Sequence, residues 1–131
     1  MFVFDIISVE FLVILFFSIT YFFSVYEKIK DWKGTVSYYS NHFKATFFIK
    51  YISPILIGIV LLESVIFILL SISLVTIVLN GDATLGKIGL EISALVLMLF
   101  LIGQRIVKDY PGAMNITVYF ILNVIGIYLL T

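Results

Sequence analysis

The chain has 131 residues, of which 63% are hydrophobic and 12% charged, and its formal net charge is zero. Soluble domains carry about 25% charged residues, so this chain cannot cover itself with a polar surface, and its mean hydropathy of +1.22 points to a single membrane domain over residues 1–131. No basic block invites nucleic acid, no cysteine is present for disulfides, thiolate metal sites or Cys-x-x-Cys relays, and the one histidine, His42, gives no cluster for zinc or haem.

The first apolar run covers residues 6–25, and the start before it lacks the basic region of a signal peptide, so the run is expected to be retained. At 100° per residue, Glu10, Phe17, Tyr21, Ser24 and Lys28 lie within about 40° of one line along the helix. One face is therefore polar or aromatic and the other aliphatic, which suits a span packed on neighbours on one side and lipid on the other.

Residues 27–50 form the longest connection and hold Lys28, Lys30, Lys33, Lys44 and Lys50. Trp32-Lys33-Gly34 reads as an interfacial turn, with Gly34 ending whatever the first helix extends into. Residues 35–43 are too short and polar to span. Tyr38, Tyr39 and Phe43, with Trp32, form an aromatic belt, so a short helix lying along the membrane surface is expected here.

The second span, residues 52–79, carries a single charge, Glu63. Pro54 is tolerated if the helix begins about there and marks a kink if it begins further back. Asn80-Gly81-Asp82 ends the span, with Gly81 suited to a left-handed cap. The third span covers residues 85–107, and Asp109-Tyr110-Pro111-Gly112 breaks the chain after it. The fourth covers residues 113–130, with Asn115, Tyr119, Asn123 and Gly126 inside an arc of about 80°. Short connections make spans two, three and four antiparallel neighbours, and the fold expected is an all-α, left-handed bundle of four transmembrane helices crossing at roughly 20°. Seven of the eight basic residues fall in the connections after spans one and three. By the positive-inside rule those connections are cytoplasmic and both termini face outward.

Counting ~1.5 Å per residue from the cytoplasmic ends puts Glu10 ~22 Å up, Glu91 ~24 Å, Glu63 ~17 Å and Asn123 ~15 Å. Each span thus contributes one strongly polar group to a layer roughly 9 Å deep. Such a layer can serve as a proton, cation or quinone site, or as interhelical glue worth about 0.6–2 kcal/mol per contact. An unpaired carboxylate in hydrocarbon is costly, so Glu63 is expected to point inward. Asn123 on span four is its first candidate partner, and Ser64 or a span-one hydroxyl the alternative. A second cluster, Asp31, Trp32, His42, Gln104 and Arg105, lies at the cytoplasmic interface. There Arg105 either reaches lipid phosphate or pairs with Asp31, and His42 is solvated or interfacial.

Several of these pieces resemble the DoxX family of small four-helix bacterial membrane proteins. They are Lys28-Ile29-Lys30-Asp31-Trp32-Lys33-Gly34, His42-Phe43, Pro54-Ile55-Leu56-Ile57-Gly58, Leu61-Leu62-Glu63 and Gly103-Gln104-Arg105-Ile106-Val107-Lys108-Asp109-Tyr110. Many members carry a His-Gly pair before the lysine that ends span one, where Val25 and Tyr26 stand here. The resemblance implies a multi-pass protein of the cytoplasmic (inner) membrane, in some members similar to subunits or partners of quinone-linked oxidoreductases, with no agreed catalytic residues. Three readings follow. The first is a non-catalytic subunit or accessory partner of a membrane redox or envelope complex, bound to another membrane protein or to its own copies. The second is a small ion-coupled carrier using the carboxyl layer, and the third a quinone-interacting protein that depends on a redox partner. No catalytic residue, metal ligand or cofactor is evident from the sequence, and a quinone is the one cofactor class that the resemblance brings in.

Overall fold

A computed structural model describes residues 8–131 of the chain; the first residues of the expected first span, 6–7, and the start read for a signal peptide lie outside the described residues. Five α-helices and one short 3₁₀ helix account for nearly all of them: α1 (Val9–Lys30), α2 (Trp32–His42), the 3₁₀ helix (Phe47–Tyr51), α3 (Ile52–Asn80), α4 (Thr84–Ile106) and α5 (Tyr110–Leu130). Among the described residues no strand forms. α1, α4, α5 and α3 together with its 3₁₀ entry are each long and apolar enough to cross a membrane.

The helix ends are set by local hydrogen bonds. α1 starts where the Ser8 hydroxyl accepts from the Phe11 N–H at 3.1 Å. It runs to Lys30, past the expected end at Val25, because nothing between Tyr26 and Lys30 opposes a helix once the chain reaches the polar level. The break falls at Asp31, not at Gly34 as expected. Asp31 leaves the helical region (φ −132°, ψ 71°), and its carboxylate accepts from the Gly34 N–H at 3.1 Å, so one residue ends α1 and caps α2. Gly34 therefore sits inside the first turn of α2. The 3₁₀ helix leads into α3, which puts Pro54 in the first turn of α3, where its missing N–H costs nothing.

Gly81 adopts φ +75° and returns its N–H to the Ile77 carbonyl at 2.9 Å, the left-handed cap its type permits. Beyond it, the Asp82 carboxylate accepts from both the hydroxyl and N–H of Thr84, which holds it below the usual carboxylate range. At the other turn, Asp109 donates its N–H to Gln104 and accepts from the Gly112 N–H at 2.9 Å. That cap starts α5 at Tyr110, three residues before the expected span, since Pro111 and Gly112 are tolerated in a first turn.

α3 packs on α1 and α4, α4 packs on α5, and α5 meets α1 along a thinner seam. Ile14, Phe17, Ile66, Leu70, Leu90 and Val96 fill the middle, all at most 1% exposed. Close approach comes from glycine. A Cβ on Gly89 would lie 2.9 Å from the Leu70 side chain, and one on Gly126 would lie 2.7 Å from that of Val13, so neighbouring side chains rest on helix backbone where only hydrogen fits. Hydroxyls join α1 to two other helices: Ser18 meets the half-buried Ser71 of α3 at 3.3 Å, and Tyr21 meets the buried Ser93 of α4 at 2.5 Å.

Candidate functional site

The polar centre of the molecule is Glu63, 1% exposed on α3. Its Oε1 accepts from Lys28 Nζ at 3.0 Å and its Oε2 from the Ser24 hydroxyl at 2.6 Å. Lys28 Nζ also donates to Ser24 Oγ at 2.6 Å, which closes a triangle of three charge-assisted contacts. Ser24 and Lys28 stand four residues apart on α1, one turn above the other on a single face, so the two can grip one carboxylate together. The Lys28 side chain retains 13% of its exposure and sits at the water end of α1, whereas Glu63 is sealed off.

Glu63 thus points inward, but its partner is not Asn123. The Asn123 amide donates to the Leu90 carbonyl at 2.8 Å across the α4–α5 interface, and its Oδ1 is buried without a partner. Glu63 takes instead a span-one hydroxyl, with a lysine beside it. The depth count misjudged its level because it set the foot of α3 level with Val25. At 29 residues α3 is ~43 Å long, more than a ~30 Å core needs, and its lower end runs on beside α2, below the level of the ion pair. Glu10 is half-buried in the first turn of α1, and Glu91 is exposed on α4. Among the described residues no hydrogen bond or ion pair joins either of them to Glu63 or Asn123, so the four do not form one connected network.

α2 lies over this triangle. Tyr39 is half-buried on its inner side, and burial pushes its phenol up, helped by Tyr38 and by the negative charge of Glu63. A folded state that keeps the proton gains stability below the ordinary tyrosine range, and that gain is lost as pH rises through the higher folded value. Two results are expected in an alkaline titration. Tyr39→Phe should remove a late component of tyrosinate absorbance, and the wild-type protein should lose stability above about pH 10 more steeply than the variant. A difference spectrum with no late component would contradict this placement.

The interface cluster divides. His42 Nε2 lies 3.1 Å from Gln104 Oε1 and 3.6 Å from an Asp109 carboxylate oxygen, and its ring stacks on Tyr38 at 5.8 Å and 13°. This joins the end of α2 to the α4–α5 turn. Arg105 does not pair with Asp31: its guanidinium lies over the Tyr110 ring at 5.4 Å, while Asp31 is used in its cap. Trp32 is the half-buried first residue of α2.

No family model matches the chain, nor does any curated protein or solved structure. Function therefore rests on the geometry. Among the described residues no three His, Asp or Glu side chains are grouped to hold a metal ion. Reading the sequence allowed a span-one hydroxyl, which is Ser24, as the second candidate partner of Glu63, and missed Lys28 beside it and Asp109 as a neighbour of His42. The first signal was present, because Ser24 and Lys28 share the polar stripe of span one. The second needed knowledge of which loops meet. Two open depressions bear on function. One, of about 300 Å³, lies between α1 and α2 beside Ser24, Lys28, Tyr38 and Tyr39. The other, of about 450 Å³, lies along the α1–α5 seam between Phe16, Asn115, Val118, Tyr119 and Leu122.

Proposed function

We propose that this chain is a DoxX-like integral protein of the bacterial inner membrane that serves as a non-catalytic subunit or accessory partner of a larger membrane redox or envelope complex. In this reading the four long helices form an antiparallel bundle, α2 lies along the cytoplasmic surface, and both termini face the periplasm. The opposed order of the pairs Ser18–Ser71 and Ser24–Glu63 supports the antiparallel arrangement of α1 and α3. The run of basic residues beside α2 and after α4 supports the orientation.

The observation that carries the reading is the triangle itself. Glu63 has both oxygens engaged and its charge offset by Lys28, so it acts as a fastener between α1 and α3. A carrier's carboxyl must exchange its proton or cation with water during each cycle; this one is held by its own chain. The α1–α5 groove supports a partner-binding role, since it leaves the exposed Asn115 amide in a wall built mostly of Phe16, Val118, Tyr119 and Leu122. Such a group is worth most when a neighbouring helix brings a hydrogen bond to it.

The test is purification of the full chain at native abundance in mild detergent, followed by native mass spectrometry. A stoichiometric membrane partner should appear, and Asn115→Trp, which fills the groove, should release it while the chain stays folded. A lone monodisperse protein, or proton flux in proteoliposomes that Glu63→Gln abolishes, would overturn the reading in favour of the carrier.

A further inference from the structure

We propose that α2 is a hinged lid over the Lys28–Glu63 pair, latched at its far end by His42 to the turn between α4 and α5. The inference is independent of which partner the chain binds.

The hinge is Asp31, the single non-helical residue between α1 and α2. A change in its φ and ψ alone would swing α2 relative to α1, and hinges are commonly a few such terminal residues. Little apolar burial holds α2 in place, for none of its residues is fully buried. Elements with few buried contacts belong to the low-stability end of a structure and open first. Past His42, residues 43–46 connect α2 to the 3₁₀ helix, which leaves the far end free to move once it is released.

The latch is specific. His42 Nε2 donates to Gln104 Oε1 at 3.1 Å in the tautomer that carries its proton there, and an Asp109 carboxylate oxygen lies 3.6 Å from the same nitrogen. Tyr38, one turn back on α2 itself, stacks on a face of the same ring and holds its orientation. Phe43, the next residue, lies so near Gly103 that a Cβ there would be 3.3 Å from its ring. The His42 and Phe43 contacts fasten the end of α2 to the end of α4 and the turn after it.

Beneath the lid lies the depression of about 300 Å³, which reaches Ser24 and Lys28 and is walled on the α2 side by Tyr38 and Tyr39. Lifting α2 removes that wall. Water would then reach the sealed carboxylate as well as the partly exposed ammonium, and their attraction would fall with the rise in local dielectric. Closed, the lid keeps α1 fastened to α3; open, it loosens that joint from the cytoplasmic side.

The experiment uses the full chain in detergent micelles. Lysine acetylation by a water-soluble succinimidyl ester is followed residue by residue in mass spectra, alongside amide hydrogen exchange. In the wild type, exposed Lys44 and Lys50 should react quickly and Lys28 slowly. His42→Ala should raise the Lys28 rate about fivefold or more, in line with loss of a hydrogen bond, and should speed amide exchange in α2 alone. His42→Gln, which can still donate to Gln104, should bring both readouts back toward wild type. An unchanged Lys28 rate in His42→Ala would overturn the proposal. So would an equal rise in exchange across α1, α3, α4 and α5, because that would report general loosening.

Discussion

Lys28→Met should destabilise the folded chain by about 3 kcal/mol, while Lys28→Met combined with Glu63→Gln should recover most of the loss. Removing one member of a buried ion pair strands the other, a change that typically costs about 3–5 kcal/mol, whereas replacing both by neutral groups is often nearly neutral. Here the stranded group is a carboxylate that is 1% exposed and keeps only the Ser24 hydroxyl. The reverse change, Glu63→Gln, should cost less, about 1–2 kcal/mol. It leaves an ammonium that is still 13% exposed at the water end of α1, and the lysine stem is long enough to carry it to water. The asymmetry is the point of the experiment, since a symmetric exposed pair would show none. Unfolding in mixed micelles can be followed through Trp32, the one tryptophan in the chain. Lys44→Met, at an exposed lysine with no carboxylate within 4 Å among the described residues, is the control. Equal small losses for Lys28→Met and Lys44→Met would show that the pair contributes nothing to the fold.

The four long helices were legible because apolar runs of about 20 residues in so uncharged a chain have few other places to go. Their ends were less so. Asp31 can be read as a helix stop or as a cap, and it proves to be both within one residue. Pro111 and Gly112 look like breakers, yet in a first turn they are allowed, and α5 begins before them. The inward direction of Glu63 followed from the cost of a charge in lipid, which needs no coordinates. Its partner followed only as the second choice, a span-one hydroxyl behind Asn123, because the level of a residue in the membrane was counted from helix ends placed side by side, and α3 overhangs α1. Lys28 was in view as part of the span-one stripe, but a lysine near a helix end is ordinarily read as reaching for headgroups. The His42–Gln104 contact joins residues 62 positions apart through loops, and no periodicity reports on which loops meet. The contrast is physical. Patterns along one helix survive in sequence, whereas register between helices is decided by side-chain volumes at a few close approaches.

Gly86 and Gly58 should separate most sharply of all. Both are glycines inside apolar helices, and nothing in their immediate sequence predicts different behaviour. A Cβ built on Gly86 would lie 2.5 Å from the Ser73 hydroxyl and 2.6 Å from the end of Ile14, and both of those side chains are fully buried. Neither can yield easily: Ser73 is short and its own Cβ stands only 3.2 Å away, while Ile14 is enclosed by the core. Gly86→Ala should therefore cost about 1–3 kcal/mol, as overpacked cores do, and Gly86→Leu more, by forcing α4 away from α1 and α3. At Gly58 a Cβ would meet nothing within 4 Å. Alanine there removes backbone freedom from the unfolded chain without a clash and should stabilise α3 by about 0.5–1 kcal/mol. The comparison is made in one detergent with both alanine variants, by midpoint of thermal unfolding. A Gly86→Ala midpoint at or above that of Gly58→Ala would mean that α4 does not approach α1 and α3 as closely as the Ser73 and Ile14 contacts require. The core packing described here would then be wrong at its tightest point.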